Sequence, residues 1–327
     1  MASKCNILVT GGAGYIGSHA CKVLAGAGYV PVTYDNLSLG HRSAVKYGPF
    51  VEGDLADGER LRAVLSEHEV EAIVHFAANA YVGESIGNPR KYFRNNVINS
   101  LNLLEAMVDA NVKHLVYSST CAIYGTPEEI PIPEEHPQSP VNPYGETKRI
   151  VESAVRWFGE AYSLSCVSLR YFNAAGADIE GEIGEDHDPE THLVPIVFEA
   201  ALGRRTHVEI FGTDYPTRDG TAVRDYVHVS DLASAHLKAL EYLIEGGASD
   251  AFNLGTGQGR TVHEIIQAVE RVCGRAVPSK EGKRRPGDPV ELVADARRAE
   301  EILGWRPRFS ELEQIVSSAW KWHSKSE

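Results

Sequence analysis

Short apolar runs alternate with longer stretches of mixed apolar and polar residues along the first half of the chain. Between the runs, the stretches near residues 16–26 and 89–109, and the one that begins at Pro143, have the composition of helices. The apolar runs predict buried parallel strands, and they cover residues 5–10, 30–34, 72–78, 114–120 and 165–170. Strands that alternate with helices predict the α/β class, here a Rossmann-type doubly wound parallel sheet.

The alternation weakens after Asn173, which predicts a smaller and discontinuous C-terminal substrate domain. Residues 225–229 predict a strand that returns to the first domain, and residues 231–243 predict the helix after it. A substrate cleft is expected between the two domains. The predicted division is a nucleotide-binding domain and a substrate domain, formed respectively by residues 1–173 plus 224–253 and by residues 174–223 plus 254–327.

A glycine-rich turn directly follows the first apolar run. Gly11, Gly14 and Gly17 recur every three residues, and a predicted helix begins at Ile16. Strand, glycine turn and helix in this order are typical of a dinucleotide site, because glycines let the backbone approach a pyrophosphate and the helix N-terminus supplies N–H groups. A bound dinucleotide is therefore predicted, with a glycine turn that holds no ligand as the alternative.

Acidic and small residues at later strand ends indicate which dinucleotide is bound. Asp35 ends the second strand, where a carboxylate accepts hydrogen bonds from both ribose hydroxyls and repels a 2′-phosphate. This favours NAD over NADP. Asp54, at the end of the third strand, is a candidate for contact with the adenine, and a plain turn residue is its alternative role. Ala77 and Ala78 would let the cofactor lie against the backbone of strand four.

Tyr144 and Lys148 are four residues apart at the start of a predicted helix, so their side chains share one face. A free phenol titrates near pH ~10, and a cation beside it favours the phenolate. The pair can therefore form a general acid/base, although Tyr and Lys also occur at this spacing by chance on helix surfaces. Thr120, at the carboxyl end of strand five, lies where this fold binds ligands.

Charge and composition exclude several classes of function. The chain has 327 residues, with 32 Lys and Arg against 45 Asp and Glu, a formal charge of −13 that argues against non-specific nucleic-acid binding. No apolar run reaches the ~18 residues of a membrane helix, and the N-terminus shows no leader pattern. The five cysteines include no CxxC pair, which predicts reduced thiols and a cytoplasmic protein.

An acidic stretch at residues 182–190 contains one run that invites a metal-site interpretation. Glu185, Asp186, His187 and Asp188 are adjacent, but no partner ligand is apparent nearby. The sequence therefore predicts a solvated acidic turn and no metal site.

The motifs together resemble those of the extended short-chain dehydrogenase/reductase family. This resemblance is carried by the glycine turn, Asn95, Tyr144 with Lys148, and residues 117–120 and 169–173. Within that family, further segments are similar to those of the UDP-glucose 4-epimerases, and they are residues 75–78, 82–85, 212–216 and 219–229. The likeness extends from Asn6 to Trp322.

The resemblance implies a reversible epimerisation at C4 of a UDP-sugar. Tyr144 would take the proton of the sugar 4-hydroxyl, Lys148 would bind the nicotinamide ribose and hold the pKa of Tyr144 down, and Thr120 would hydrogen-bond the 4-oxygen. Tightly bound NAD would accept the C4 hydride and return it to the other face of the 4-keto sugar. A homodimer through helices near 89–109 and 143–161 is also implied.

Two sets of binding residues follow from the same resemblance. The cofactor set comprises Gly11, Gly14, Tyr15, Ile16, Gly17, Asp35, Asn36, Asp54, Leu55, Phe76, Ala77, Ala78, Asn95, Ser118, Tyr144, Lys148, Tyr171 and Phe172. The substrate set comprises Thr120, Tyr144, Asn173, His192, Leu193, Phe211, Arg224, Arg285, Asp288 and Leu292. The arginines suit a diphosphate, because a guanidinium binds its oxygens bidentately.

Departures from the family pattern limit what the sequence decides. Cys121 and Ala122 follow Thr120 where dehydratases and decarboxylases carry an acid, which argues against those reactions. His192 and Leu292 differ from the residues common in relatives, and UDP-xylose/UDP-arabinose and UDP-N-acetylglucosamine remain alternative substrates. A non-catalytic NAD-binding sensor is a further alternative, but it would not need Thr120, Tyr144 and Lys148.

Overall fold

The apolar runs of the first half form one parallel sheet in the computed structural model, which describes residues 5–285 and 287–326. The strands of the described residues are β1 (Asn6–Thr10), β2 (Val30–Asp35), β3 (Phe50–Glu52), β4 (Val70–His75), β5 (His114–Ser118), β6 (Ser165–Tyr171), β7 (Asn173–Ala175), β8 (Val208–Phe211), β9 (Val223–His228), β10 (Asp250–Leu254), β11 (Gly259–Thr261), β12 (Ser279–Gly282) and β13 (Glu291–Leu292). Seven strands lie in the order β3, β2, β1, β4, β5, β6, β10, and all neighbours are parallel. This order confirms the predicted Rossmann-type sheet.

The helices cover both faces of this sheet and build the smaller region. They are α1 (Tyr15–Gly26), α2 (Gly58–Glu67), α3 (Val82–Gly87), α4 (Pro89–Tyr92), α5 (Asn99–Asp109), α6 (Pro143–Tyr162), α7 (Leu193–Ala201), α8 (Val229–Ile244), α9 (Val262–Cys273), α10 (Arg297–Leu303) and α11 (Leu312–His323). A π-helical segment (Phe93–Ile98) joins α4 to α5, so the helix predicted over residues 89–109 is continuous but widened in its middle.

Alternating side chains of each central strand enter two separate apolar cores. In β1, Ile7 and Val9 pack with Leu240 of α8, whereas Leu8 packs on the opposite face with Leu104 of α5. Because successive residues of a strand point to opposite faces, a sheet covered on both sides needs an unbroken apolar run. This is why the strands were recognisable from the sequence.

The strand predicted over residues 225–229 forms, but it does not join the seven-stranded sheet, and its place in the first domain stays a prediction. It is β9, which pairs with β7, β11 and β13 in a second, smaller sheet. The return is made by α8, which packs beside α1, and by β10, which pairs with β6. Buried strands of either sheet carry the same apolar pattern, so the pattern does not show which sheet a strand joins.

The smaller region has its own core, in which α7, α9 and α11 pack together through Phe198, Ile265 and Ile315. Trp305, far along the chain, joins the core of the seven-stranded sheet instead, with its indole N–H donating to the carbonyl of Asp231 at 2.9 Å. The exact division of the chain into two domains stays a prediction.

Among the described residues, no helix combines the length and the apolar composition that crossing a bilayer requires.

Candidate functional site

The carboxyl ends of the parallel strands open into a cavity of about 1260 Å³. Its lining includes the complete substrate set predicted above and all of the cofactor set except Ser118 and Lys148. Those two residues are buried, and the Lys148 ammonium donates a hydrogen bond to the carbonyl of Ser118 at 2.7 Å. The structure thus brings the predicted residues to one place, while their individual roles stay predictions.

At one end of the cavity, the glycine turn forms a cradle in which Gly11 and Gly17 leave no room for a side chain. Gly11 has a φ of +72°, and a Cβ there would lie 2.7 Å from the backbone nitrogen of Ala77. A Cβ on Gly17 would lie 2.2 Å from the carbonyl oxygen of Gly11. Gly14 caps α1 without a side chain, which leaves the first N–H groups of the helix available to an anion. The cradle therefore fits a pyrophosphate.

Asp35 lies beside this cradle, with its carboxylate fixed by two backbone groups. One oxygen accepts a hydrogen bond from the N–H of Ala13 at 3.0 Å, and the other from the N–H of Leu37 at 2.8 Å. Burial raises the pKa of Asp35, and these two hydrogen bonds oppose the rise. Asn36 donates a hydrogen bond to the carboxylate of Asp54 at 2.7 Å. Asp35 and Asp54, the two carboxylates predicted to contact the cofactor, thus line the same end of the cavity.

Tyr144 and Lys148 lie on the first turns of α6, as predicted. Asn142 caps this helix by accepting from the N–H of Gly145 at 2.9 Å, and Pro143 occupies its first position. Burial raises the pKa of Tyr144 far above its ordinary value, although a hydrogen bond with the Thr120 hydroxyl acts to lower it. Burial also lowers the pKa of Lys148 to about 7. The chain's own groups therefore leave the Tyr144 phenol protonated.

A buried ion pair behind these residues was missed in the sequence. Glu152, one turn after Lys148 on α6, contacts Arg170 of β6 at 2.7 Å, and both side chains are buried. Ser119 donates to Glu152 at 2.5 Å, and Arg170 also reaches the Tyr124 hydroxyl at 3.1 Å. The pair joins α6 to β6, and the Ser119 hydroxyl links the same carboxylate to the segment after β5 that carries Thr120. Glu152 lies four residues after Lys148 on the same helix, and this spacing is the feature of the sequence that could have indicated its position behind the site.

Asn96 is a second residue whose role the sequence did not show. Its amide is fully engaged, since it accepts from the N–H of Asn79 at 2.8 Å and donates to the Asn79 carbonyl at 2.9 Å and to the Thr147 hydroxyl at 3.1 Å. Thr147 directly precedes Lys148. Asn96 therefore connects the π-helical segment, the loop after β4 and the helix that carries Tyr144.

At the other end of the cavity, Arg224 and Arg285 converge on one carboxylate. Asp288 accepts hydrogen bonds from both, at 3.1 Å in the case of Arg285. The Arg285 guanidinium also stacks over the Phe211 ring, 4.6 Å from its centre. Two cations at this end suit a diphosphate. Leu292 is buried nearby on β13, where it pairs with Arg224 of β9.

The stretch at residues 182–190 is not the solvated turn that was predicted. Three of its side chains converge with His192 in a group, here named the carboxylate–histidine cluster, that consists of Glu185, His187, Glu190 and His192. Glu185 is only 3% exposed, because the loop folds inward, with the Glu185 carbonyl accepting from the Trp322 indole at 2.9 Å. This contact spans most of the C-terminal half of the chain, so the sequence pattern did not reveal it.

Electrostatics within the carboxylate–histidine cluster are strong. Burial disfavours the charged imidazoles, but Glu185 and Glu190 raise the pKa of His187 to about 9 and of His192 to about 10. Burial likewise opposes ionisation of Glu190, yet its contacts with the two histidines hold the pKa of this carboxyl well below its usual range.

Comparison with known proteins agrees with this geometry. The chain is 54% identical over 320 residues to the UDP-glucose 4-epimerase of Rhizobium meliloti, with 98% of this chain and 97% of that protein covered. The crystal structure of the Brucella ovis UDP-glucose 4-epimerase in complex with NAD matches with a TM-score of 0.95 at 51% identity, covering 98% of both chains.

A third relative is the Stenotrophomonas maltophila UDP-glucose-4-epimerase with bound NAD and formylated UDP-arabinopyranose, with a TM-score of 0.95, 42% identity, and coverage of 99% of this chain and 100% of that chain. A model of the NAD dependent epimerase/dehydratase family matches residues 7–255. With this match and identities above 50% over nearly its full length, the chain belongs to the NAD dependent epimerase/dehydratase family.

Proposed function

We propose that this chain is a UDP-glucose 4-epimerase that works with tightly bound NAD. One observation carries the proposal: the buried Tyr144 phenol and the Thr120 hydroxyl meet in a single cavity, between a glycine cradle that fits a pyrophosphate and an arginine pair that suits a second diphosphate. Relatives with this name cover nearly the whole chain.

In the proposed reaction, the phenol oxygen of Tyr144 receives the proton of the sugar 4-hydroxyl. Thr120 hydrogen-bonds this phenol and holds the 4-oxygen beside it. Lys148 lies behind, fixed by the Ser118 carbonyl. When bound, NAD supplies the hydride acceptor and a positive charge. That charge matters because burial raises the pKa of Tyr144, and an adjacent cation is what favours the phenolate.

The surroundings of the reacting carbon favour an exchange without elimination. Cys121 follows Thr120, and burial raises the pKa of its thiol to about 12, so it stays protonated and is a poor acid. Ala122 carries no ionisable group. A dehydratase would need a carboxyl group at one of these positions, so proton and hydride exchange at C4 is the chemistry that the site supports.

Conversion of UDP-galactose to UDP-glucose by the purified protein, with no cofactor added, tests the proposal. We expect turnover in this assay and release of NAD from the denatured protein. UDP-xylose and UDP-N-acetylglucosamine, assayed at equal concentration, should react more slowly than the hexose substrate. Lack of conversion of every UDP-sugar would exclude an epimerase, and faster turnover of UDP-xylose would assign the pentose instead.

Tyr144→Phe provides the matched inactive variant for this assay. Removing the hydroxyl removes the proposed base, so the rate should fall by a factor of about 10² to 10⁴, while thermal unfolding stays close to that of the wild type. Tyr162→Phe, at the exposed end of the same helix, is the control and should keep its activity. Near-normal turnover by Tyr144→Phe would show that another group is the base.

We further propose a homodimer that acts in the cytoplasm. Support for the dimer comes from exposed apolar side chains on the helices named for it, among them Phe93, Ile98 and Trp157. Light scattering of the purified protein tests this, and a monomer at micromolar concentration would contradict it. The cytoplasmic assignment rests on five cysteines that are all free thiols.

A further inference from the structure

The carboxylate–histidine cluster has the composition and geometry of a metal centre. One donor atom from each of its four side chains lies within 4.8 Å of the others. The His187 Nδ1 lies 3.2 Å from Glu185 and 3.7 Å from Glu190, and the His192 Nδ1 lies 2.6 Å and 3.4 Å from the same two carboxylates. Ligands ~2.0–2.2 Å from a tetrahedral zinc ion are about 3.3 Å apart.

Three donor atoms of the cluster are buried and have no hydrogen-bond partner among the residues that the structure describes. They are Oε1 of Glu185 and the Nδ1 atoms of His187 and His192. Buried polar atoms are normally satisfied, and an exception calls for an explanation. Short contacts that lack hydrogen-bond geometry, among donor atoms that lie within 4.8 Å of one another, are expected of groups that share one cation.

The surrounding chain fixes the donors from outside the cluster. Glu190 accepts from the N–H groups of Thr191 and His192 at 2.7 Å and 2.8 Å, which orients its carboxylate. Glu185 is held through its carbonyl by the Trp322 indole. Outer contacts of this kind orient the ligands of metal sites.

A second acidic group in the same loop shows how a filled cation site looks in this fold. Asp178, Glu180 and Glu182 surround the ammonium of Lys22 at 2.9 Å, 2.6 Å and 2.9 Å. Within the described part of the chain, no lysine or arginine forms an ion pair with either carboxylate of the carboxylate–histidine cluster. The cations that face these carboxylates are the two imidazoles, and a metal ion that displaced their protons would take over that role.

From these contacts we propose that the carboxylate–histidine cluster binds one divalent transition-metal ion, with zinc as the ion that its two imidazoles and two carboxylates favour. Two nitrogen donors argue against magnesium and calcium, which take oxygen ligands. A metal here would tie the loop that ends at α7 to Tyr15 and Tyr81, whose rings pack edge-on against His187. It would thus brace the cavity wall without taking part in the epimerisation.

Zinc binding to the protein without a polyhistidine tag tests this proposal. After treatment with a chelator, titration with zinc chloride in a calorimeter should give one site per chain, and thermal unfolding should shift upward by roughly 5 °C at a hundredfold excess over Kd. His187→Gln should weaken binding by at least about a hundredfold, since even outer contacts contribute 10- to 100-fold. Asp186→Asn, in the same loop but with an exposed carboxylate outside the cluster, should bind like the wild type.

Substitution with cobalt(II) in the wild-type chain gives an answer that does not depend on how well a variant folds. An intense visible absorption band indicates a four-coordinate site, and the weak spectrum of the hydrated ion indicates none. Absence of a stoichiometric zinc site, equal affinity in His187→Gln and Asp186→Asn, or the weak cobalt spectrum would each overturn the proposal.

Discussion

At the scale of single residues, the Glu152 carboxylate supports the site without lining its cavity. It receives the Arg170 guanidinium and the Ser119 hydroxyl inside the protein, and it lies on the helix that presents Tyr144. A buried carboxylate with this many partners fixes geometry as well as charge. Its loss leaves Arg170 buried and unpaired, which costs far more than the loss of an exposed pair.

Glu152→Gln should therefore destabilise the protein by about 3–5 kcal/mol, because one charge of a buried pair is left without its partner. Urea unfolding measures this change. Glu146→Gln is the matched control on the same helix, since Glu146 pairs with Arg149 near the surface, and it should cost no more than about 1 kcal/mol. Equal losses of unfolding free energy in the two variants would show that the buried pair of Glu152 contributes no more than the exposed pair of Glu146.

At the scale of elements, the turn between β1 and α1 is where sequence and structure agree most closely. Its spacing predicted close backbone approach, and the structure shows that added Cβ atoms would collide with backbone at both Gly11 and Gly17. Gly26, near the end of α1, has open space around it instead. The same residue type thus has different consequences at the two ends of one helix.

Gly17→Ala should release the cofactor, because its methyl group would lie 2.2 Å from the Gly11 carbonyl oxygen and force the cradle open. NAD measured in the purified protein is expected to fall severalfold. Gly26→Ala should retain NAD and gain up to about 1 kcal/mol of stability from higher helix propensity. Full NAD content in Gly17→Ala would show that the backbone around Gly17 has room for a methyl group.

What the sequence could not show depends on contacts between distant parts of the chain. The glycine turn, the Tyr144 helix and the seven-stranded sheet follow from local patterns. The assignment of β9 to the second sheet depends on its partners β7, β11 and β13. Likewise, the burial of Glu185 depends on Trp322. Local periodicity contains no information about such pairings, and this is why both features differed from expectation.

At the scale of the whole molecule, four histidines are buried as neutral side chains. Burial lowers the pKa of His75 to about 3 and the pKa values of His19, His228 and His236 to about 4. In the unfolded chain an imidazole titrates near ~6.5. Between these values the unfolded state binds protons that the folded state does not, so stability falls as the pH drops from about 6.5 towards 4.

Urea unfolding at pH 7 and pH 5 should show this loss, with about 2 kcal/mol from each neutral histidine. His236→Gln should reduce the difference in unfolding free energy between pH 7 and pH 5 by about 2 kcal/mol, the contribution of this one histidine. This holds however much the substitution itself destabilises the protein at neutral pH. His41→Gln, which replaces a half-exposed imidazole, is the control and should keep the full difference. An unchanged difference in His236→Gln would show that His236 is protonated in the folded state.

The position of β10 affects how the protein folds during synthesis. This strand pairs with β6 along Asp250–Leu254, after the chain has contributed β7 and β9 to the second sheet. While a ribosome is still making the residues between them, the β6 edge and the apolar surface under α8 stay uncovered. The nascent Rossmann half therefore needs protection from aggregation until Leu254 has left the ribosome. A fragment that ends at residue 173 would remain prone to aggregation.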